Sequence, residues 1–212
     1  MAIKLPVKLF DLGLVVKKHD KRLSDSKFSE LFRHCLDFYP IPFHISNPII
    51  SVKREEDEQL VIAPMFVHLE NHHPKNLDRE IKKVLNIFNY YYKELGIKEV
   101  IQMNLRFVSH VPAHFEKSDR KLLNKVTFGI PDDLRDILGA KKIEKGLRFV
   151  YRINNMRYNL RIEPYFTDLK KNYVDLKIVI SETILLKQIH SKIKKQKEAF
   201  HNKISLLLPQ RD

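Results

Sequence analysis

Sixteen residues late in the chain constrain its fold most: Leu147, Phe149, Tyr151 and Ile153 alternate with Arg148, Val150 and Arg152, Asn154-Asn155 follows, and Met156, Tyr158, Leu160 and Ile162 alternate with Arg157, Asn159 and Arg161. Strict period-2 alternation on both sides of a two-residue turn that tolerates positive φ specifies a tight β-hairpin. The predicted register pairs 153 with 156, 151 with 158, 149 with 160 and 147 with 162, because only then do all eight apolar side chains share a face. That register gathers Arg148, Arg152, Arg157 and Arg161 on the opposite face, with 152 across from 157 and 148 across from 161. Like charges directly opposite destabilise a sheet, so something must compensate them or the cost is tolerated. Glu163, Asp175 or an acid from the first half would supply the partners. Otherwise, guanidinium groups that fork onto phosphate and stack on bases point to nucleic acid, with Tyr165 and Phe166 as further stacking groups.

The remainder of the chain reads as α+β. A strand from Val7 to Val16 precedes a helix carrying Phe28, Leu31, Phe32, Cys35, Leu36 and Tyr39 on one stripe, capped by Asp25 or Ser26 and stopped by Pro40. Strands over Ile49–Lys53 and Gln59–Leu69 flank an acidic hairpin tip, and Pro64 marks the second as an edge strand or a bulged one. Leu77 to Leu95 forms the most regular helical face, between Asn76 as cap and Gly96 just past its end. Ile101, Met103, Leu105 and Phe107 then alternate as a strand. Together residues 1–110 spell a ferredoxin-like βαββαβ unit. Residues 111–212 supply two short helices (Asp119 to Lys125, Asp132 to Leu138), a three-stranded meander completed by Val174, Leu176, Ile178 and Ile180, and a long helix capped by Ser181. The two parts are either separate units or one continuous domain.

Charge is uneven along this order. Through His110 there are 17 basic and 14 acidic residues; beyond it there are 22 and 12, within an overall formal charge of +13. An excess gathered in one part attracts polyanions. The final helix adds Lys187, Lys192, Lys194, Lys195, Lys197 and Lys203 against Glu198 alone. Five well-separated glycines exclude a Walker loop and a dinucleotide fingerprint, so no cofactor is expected. No apolar run reaches the length of a membrane span, the single Cys excludes a disulfide framework, and Met1 to Leu14 has neither a long apolar stretch nor a small-residue cleavage site, so a reducing cytoplasm is expected.

Other constellations are weaker. His68, His72 and His73, and His110 with His114 and Glu116, have ligand-like spacing, but the first set straddles a strand end and the second contains Pro112, so no metal site is expected. Cys35 lies on an apolar stripe and reads as a core residue. Glu163 followed by Asp175-Leu176-Lys177 has the acid…acid-x-Lys pattern of Mg²⁺-dependent nucleases; ordinary pairing with the arginines explains these acids better.

At Leu105-Arg106-Phe107-Val108, after the periodic helix Leu77 to Leu95, the chain resembles an uncharacterised, sporadically distributed prokaryotic family whose central strand reads Leu-Arg-Tyr-Ile-Asn; Ser109 stands where that family has Asn. The resemblance implies a prokaryotic, non-catalytic, defence-associated setting and carries no catalytic residue. The expectation is a non-catalytic module binding RNA or DNA through Arg148, Arg152, Arg157, Arg161, Lys187, Lys194, Lys195 and Lys197. The alternatives are a subunit docking an acidic protein and, third, the nuclease.

Overall fold

The computed structural model describes residues 6–19, 21–112, 146–165, 167–168 and 171–207. Nine strands form one antiparallel sheet: β1 (Val7–Val15), β2 (Ile41–Ser46), β3 (Ile49–Arg54), β4 (Glu58–Ala63), β5 (Phe66–His72), β7 (Gln102–Pro112), β8 (Leu147–Ile153), β9 (Met156–Pro164) and β10 (Lys171–Ile180). Their order across the sheet is β2-β3-β4-β5-β1-β7-β10-β9-β8. Two short strands, β6 (Glu99–Val100) and β11 (Ile184–Leu185), pair separately. The helices among the described residues are α1 (Asp25–Leu36), α2 (Leu77–Glu94) and α3 (Leu186–Leu207), and none of them is long and apolar enough to cross a membrane.

The protein is α+β, but its first part has four strands between α1 and α2, where the βαββαβ reading has two. Ile41–Ser46 is an additional strand, and the segment expected as one strand over Gln59–Leu69 is two, β4 and β5, joined by a turn at Pro64-Met65. Pro64 thus avoids the ladder altogether: a residue without an amide donor is better placed in a turn than within a paired strand. One element of the expected topology remains. β5 and β7 both run antiparallel to β1, so α2 links two parallel strands across an intervening one. The two parts of the chain share this sheet, because β7 pairs with β10 from Met103↔Ile180 to Pro112↔Lys171.

Alternation then separates the sheet's two faces. Phe10, Leu12 and Leu14 of β1, Met103, Leu105 and Phe107 of β7, and Val174, Leu176 and Ile178 of β10 are buried on one side, in the same core as Leu31 and Cys35 of α1, Phe88 and Tyr92 of α2, and Ile189, Ile193 and Phe200 of α3. Phe200 stacks on Phe107, with ring centroids 5.4 Å apart. The helices therefore lie on this face, and among the described residues no second layer covers the other.

The local signals explain the helix ends. Ser24, one residue before the expected caps, accepts from the Lys27 amide, and the Asn76 side chain accepts from the Arg79 amide. Gly96 takes φ +64° just past α2, where its amide donates to Lys93 O and that of Ile97 to Tyr92 O, closing the helix. The last helix starts at Leu186, later than expected: Leu185 belongs to β11, and Ser181 lies outside the helix. The short helices expected at 119–125 and 132–138 lie outside the described residues.

Candidate nucleic-acid interface

The hairpin forms in the register that its alternation specifies. Ile153 pairs with Met156, Arg152 with Arg157, Tyr151 with Tyr158, Phe149 with Leu160, Arg148 with Arg161 and Leu147 with Ile162. Asn154 adopts φ +52°, the left-handed conformation that asparagine tolerates best after glycine. Tyr158, Leu160 and Ile162 are buried on the helix side. Hence the four arginines emerge on the opposite face, where Arg148, Arg152 and Arg157 are exposed and Arg161 is half-buried.

Cross-strand pairing extends this face into rungs. Nearest the turn, Arg152, Arg157, Val179 and Asn104 lie side by side. Next come Val150, Asn159, Lys177, Arg106 and Asp11, then Arg148, Arg161, Asp175 and Val108. The last rung is Glu163, Tyr173 and His110.

The two arginine pairs differ in their surroundings. Arg161 is half-buried and grips Glu163 with Nε and Nη2 at 2.8–3.1 Å, and Arg148 donates from Nε to Asn159 Oδ1 at 3.1 Å. The hydrogen bonds and charge of Glu163 raise the Arg161 pKa above its ordinary value. That pair is relieved. Arg152 and Arg157 are exposed and have no carboxylate partner among the described residues, and the same holds for exposed Lys177. Structural pairing thus holds at Arg161, while the cations nearer the turn are exposed and without a carboxylate among the described residues.

Beneath the cations lies a buried brace. Asp175 is 0% exposed although it sits on the open face. Arg106 clamps it from the next strand, Nε to Oδ1 at 3.0 Å and Nη2 to Oδ2 at 3.1 Å, and Arg106 also reaches the Tyr173 hydroxyl at 3.2 Å. Burial alone would lower the Arg106 pKa; the bonds and charge of Asp175 outweigh it and raise it. Asp11 continues the line, 3.8 Å from Arg106 and 3.5 Å from His68, whose pKa its hydrogen bond raises. With Glu163 and Asp175 each engaged by an arginine, the acid…acid-x-Lys pattern resolves into ion pairs, with Lys177 exposed beside them. Among the described residues, no group of three or more His, Cys, Asp or Glu side chains is placed to hold a metal.

A ring cluster closes the far end of the face. Tyr165 lies 4.2 Å from His110, centroid to centroid, and Tyr173 lies 5.9 Å from it on the other strand. Burial, then the charges of Lys8, Lys171 and His73, hold the His110 pKa below its ordinary value. Period-2 spacing of His110 and Tyr173 held this signal, but the sequence reading weighed His110 only as a metal ligand. Phe166 and His114 lie outside the described residues.

The lysines of α3 are elsewhere. The helix packs on the covered face, so exposed Lys187, Lys194 and Lys195 lie on the other side of the sheet from the arginines. Lys197 bonds Asp78 of α2 at 2.9 Å, and Lys192 bonds Glu182. The two basic clusters therefore do not make one continuous plane. Cys35 is buried in the core, and burial pushes its thiol up to about 12, which leaves it inert as a nucleophile.

No known protein family and no curated protein matches the chain.

Proposed function

We propose that the open face of β8, β9 and β10 binds nucleic acid through its phosphates, without chemistry of its own. One observation carries this reading: Arg152 and Arg157 stand opposite each other, exposed and free of carboxylates among the described residues, in a sheet that supplies partners for the neighbouring pair. Such a like-charge rung costs stability, and a polyanion laid across it recovers that cost. Arg148 and Lys177 extend the track, and Arg161 is held in place by Glu163. The Lys-rich face of α3 is a second, separate basic surface, which enlarges the attractive field without sharing the contact.

The test is fluorescence anisotropy with a labelled oligonucleotide across a salt series. Four phosphate contacts, at Arg148, Arg152, Arg157 and Lys177, give a log–log salt slope of roughly −3 on a single strand. Replacing Arg148, Arg152, Arg157 and Arg161 together by Gln abolishes the binding. Affinity unchanged in that variant, or no affinity at low salt in the wild-type protein, refutes the proposal.

A second reading, docking of an acidic protein, draws on Val150, 51% exposed among the arginines. A stoichiometric acidic partner, retained after nuclease treatment and lost on Val150→Asp, would favour it over the first. The resemblance at Leu105-Arg106-Phe107-Val108 supports placing either activity in a cytoplasmic, prokaryotic, defence-associated assembly.

A further inference from the structure

We infer that the ligand of this face is single-stranded, with a base stacked on the ring cluster of His110, Tyr165 and Tyr173 while its backbone follows the cations toward the Asn154-Asn155 turn. The inference rests on the proposed phosphate-binding reading and adds the class of nucleic acid. Three features of the face lead to it.

The first is placement. Tyr173 and His110 stand one rung beyond Arg148 and Arg161, on the same face, and Tyr165 lies against His110. From Arg157 to Glu163, whose rung holds the rings, is six residues along one strand, or about 20 Å of extended chain. Cations therefore occupy one end of the track and rings the other. All three rings are partly exposed, and none belongs to the buried core.

The second is the charge state of the middle ring. With its pKa held down by burial and by Lys8, Lys171 and His73, His110 is neutral at physiological pH. A neutral imidazole between two phenol rings presents a π surface, and a lysine beside it is available to a flanking phosphate. Lys171 is paired with Asp168 at 2.8 Å, so Lys8 is the freer of the two.

The third is shape. A B-form major groove admits a helix or a two-stranded ribbon, whereas this face belongs to a sheet of nine strands. Against a duplex it reaches phosphates only. Rings held on such a surface meet a base only when that base is unstacked and splayed out, as in a single strand, loop or end.

The test compares a labelled oligothymidine of about twelve nucleotides with the same strand annealed to its complement, at one salt concentration. Wild-type protein is expected to bind the single strand at least tenfold more tightly. Tyr165→Ala lowers single-strand affinity about tenfold, leaves duplex affinity within twofold and leaves the salt slope unchanged, whereas Tyr165→Phe retains wild-type binding. Arg152→Gln/Arg157→Gln weakens both ligands and flattens the salt slope by about two contacts. Equal affinity for the two ligands, or Tyr165→Ala without effect in a protein whose thermal melt is unchanged, overturns the single-strand inference and leaves the phosphate reading standing. No affinity for either ligand overturns both.

Discussion

Replacing Arg106 by Leu removes the only cation within hydrogen-bond distance of Asp175 among the described residues and strands a carboxylate that is 0% exposed. Two charge-assisted bonds, at 3.0 and 3.1 Å, disappear together; what remains is the Tyr173 hydroxyl at 3.5 Å. Breaking one side of a buried pair costs about 3–5 kcal/mol, because the remaining charge keeps its desolvation penalty and loses its compensation. For a chain of this length each kcal/mol lowers Tm by roughly 2–4 °C, so the variant should melt about 6–20 °C below wild type at pH 7.5. Removing both partners, Arg106→Leu with Asp175→Leu, leaves no buried charge and should recover all but about 1–2 kcal/mol. The double variant separates this account from simple loss of packing, since it removes more of the contact than the single one does. Melts followed by circular dichroism at pH 7.5 decide it. A single variant no less stable than the double would show that Asp175 does not depend on Arg106 for its compensation.

Three further outcomes are expected. Arg152→Glu turns the exposed like-charge rung into an ion pair and should stabilise the fold by roughly 0.2–1 kcal/mol in urea titrations while weakening oligonucleotide binding; a loss of stability would mean that the two guanidinium groups do not oppose each other. Burial, then the charge of Glu80, raises the pKa of Glu58, so its ionisation opposes folding as pH climbs above the ordinary value of 4.5; Glu58→Gln, still able to accept from Tyr39, should raise Tm at pH 7.5 and lose that advantage toward pH 4. An advantage that grows in acid would reverse the sign. Gly96→Ala forces a Cβ into the left-handed region at the end of α2 and should cost about 1 kcal/mol by chemical denaturation; no change would place the strain elsewhere.

The hairpin was legible because its two signals agree: the asparagine turn fixes the register, and the apolar phase on each strand requires the same one. β2 and the β4–β5 split were not, for identifiable reasons. β2 is exposed throughout, and Pro42 interrupts its Ile41, Phe43, Ile45 alternation, so no buried face marks it as a strand. Across Gln59–Leu69 the β-forming character is continuous, which hides the turn at Pro64-Met65 from composition. The phase does reveal it. Buried Leu60 and Ile62 are even-numbered and buried Val67 and Leu69 odd-numbered, a switch that one straight strand cannot make. At the candidate site, the faces of Arg148, Arg152, Arg157 and Arg161 followed from period 2 alone. Which of them finds a partner depended on Asn159 and Glu163, and the clamp on Asp175 came from Arg106, 69 residues away in sequence. That contact is set by the β7–β10 register, and no local pattern encodes it. The separation of the α3 lysines from the arginines follows from tertiary packing as well: helical periodicity shows which side of a helix is polar, and the apolar side of the sheet fixes where that helix lies.

The outermost position of β8 has a consequence for solubility. A strand at the rim of a sheet, with no described neighbour beyond it, is a template on which a second copy can polymerise. Here that rim carries Arg148 and Arg152, so two copies approaching side by side bring guanidinium groups together and repel. At the opposite rim, Pro42 withholds a donor and a bulge between Pro42 and His44 spoils the ladder. A polyanion bound along the arginines would silence only the first of these guards, and Pro42 with its bulge would still keep the other.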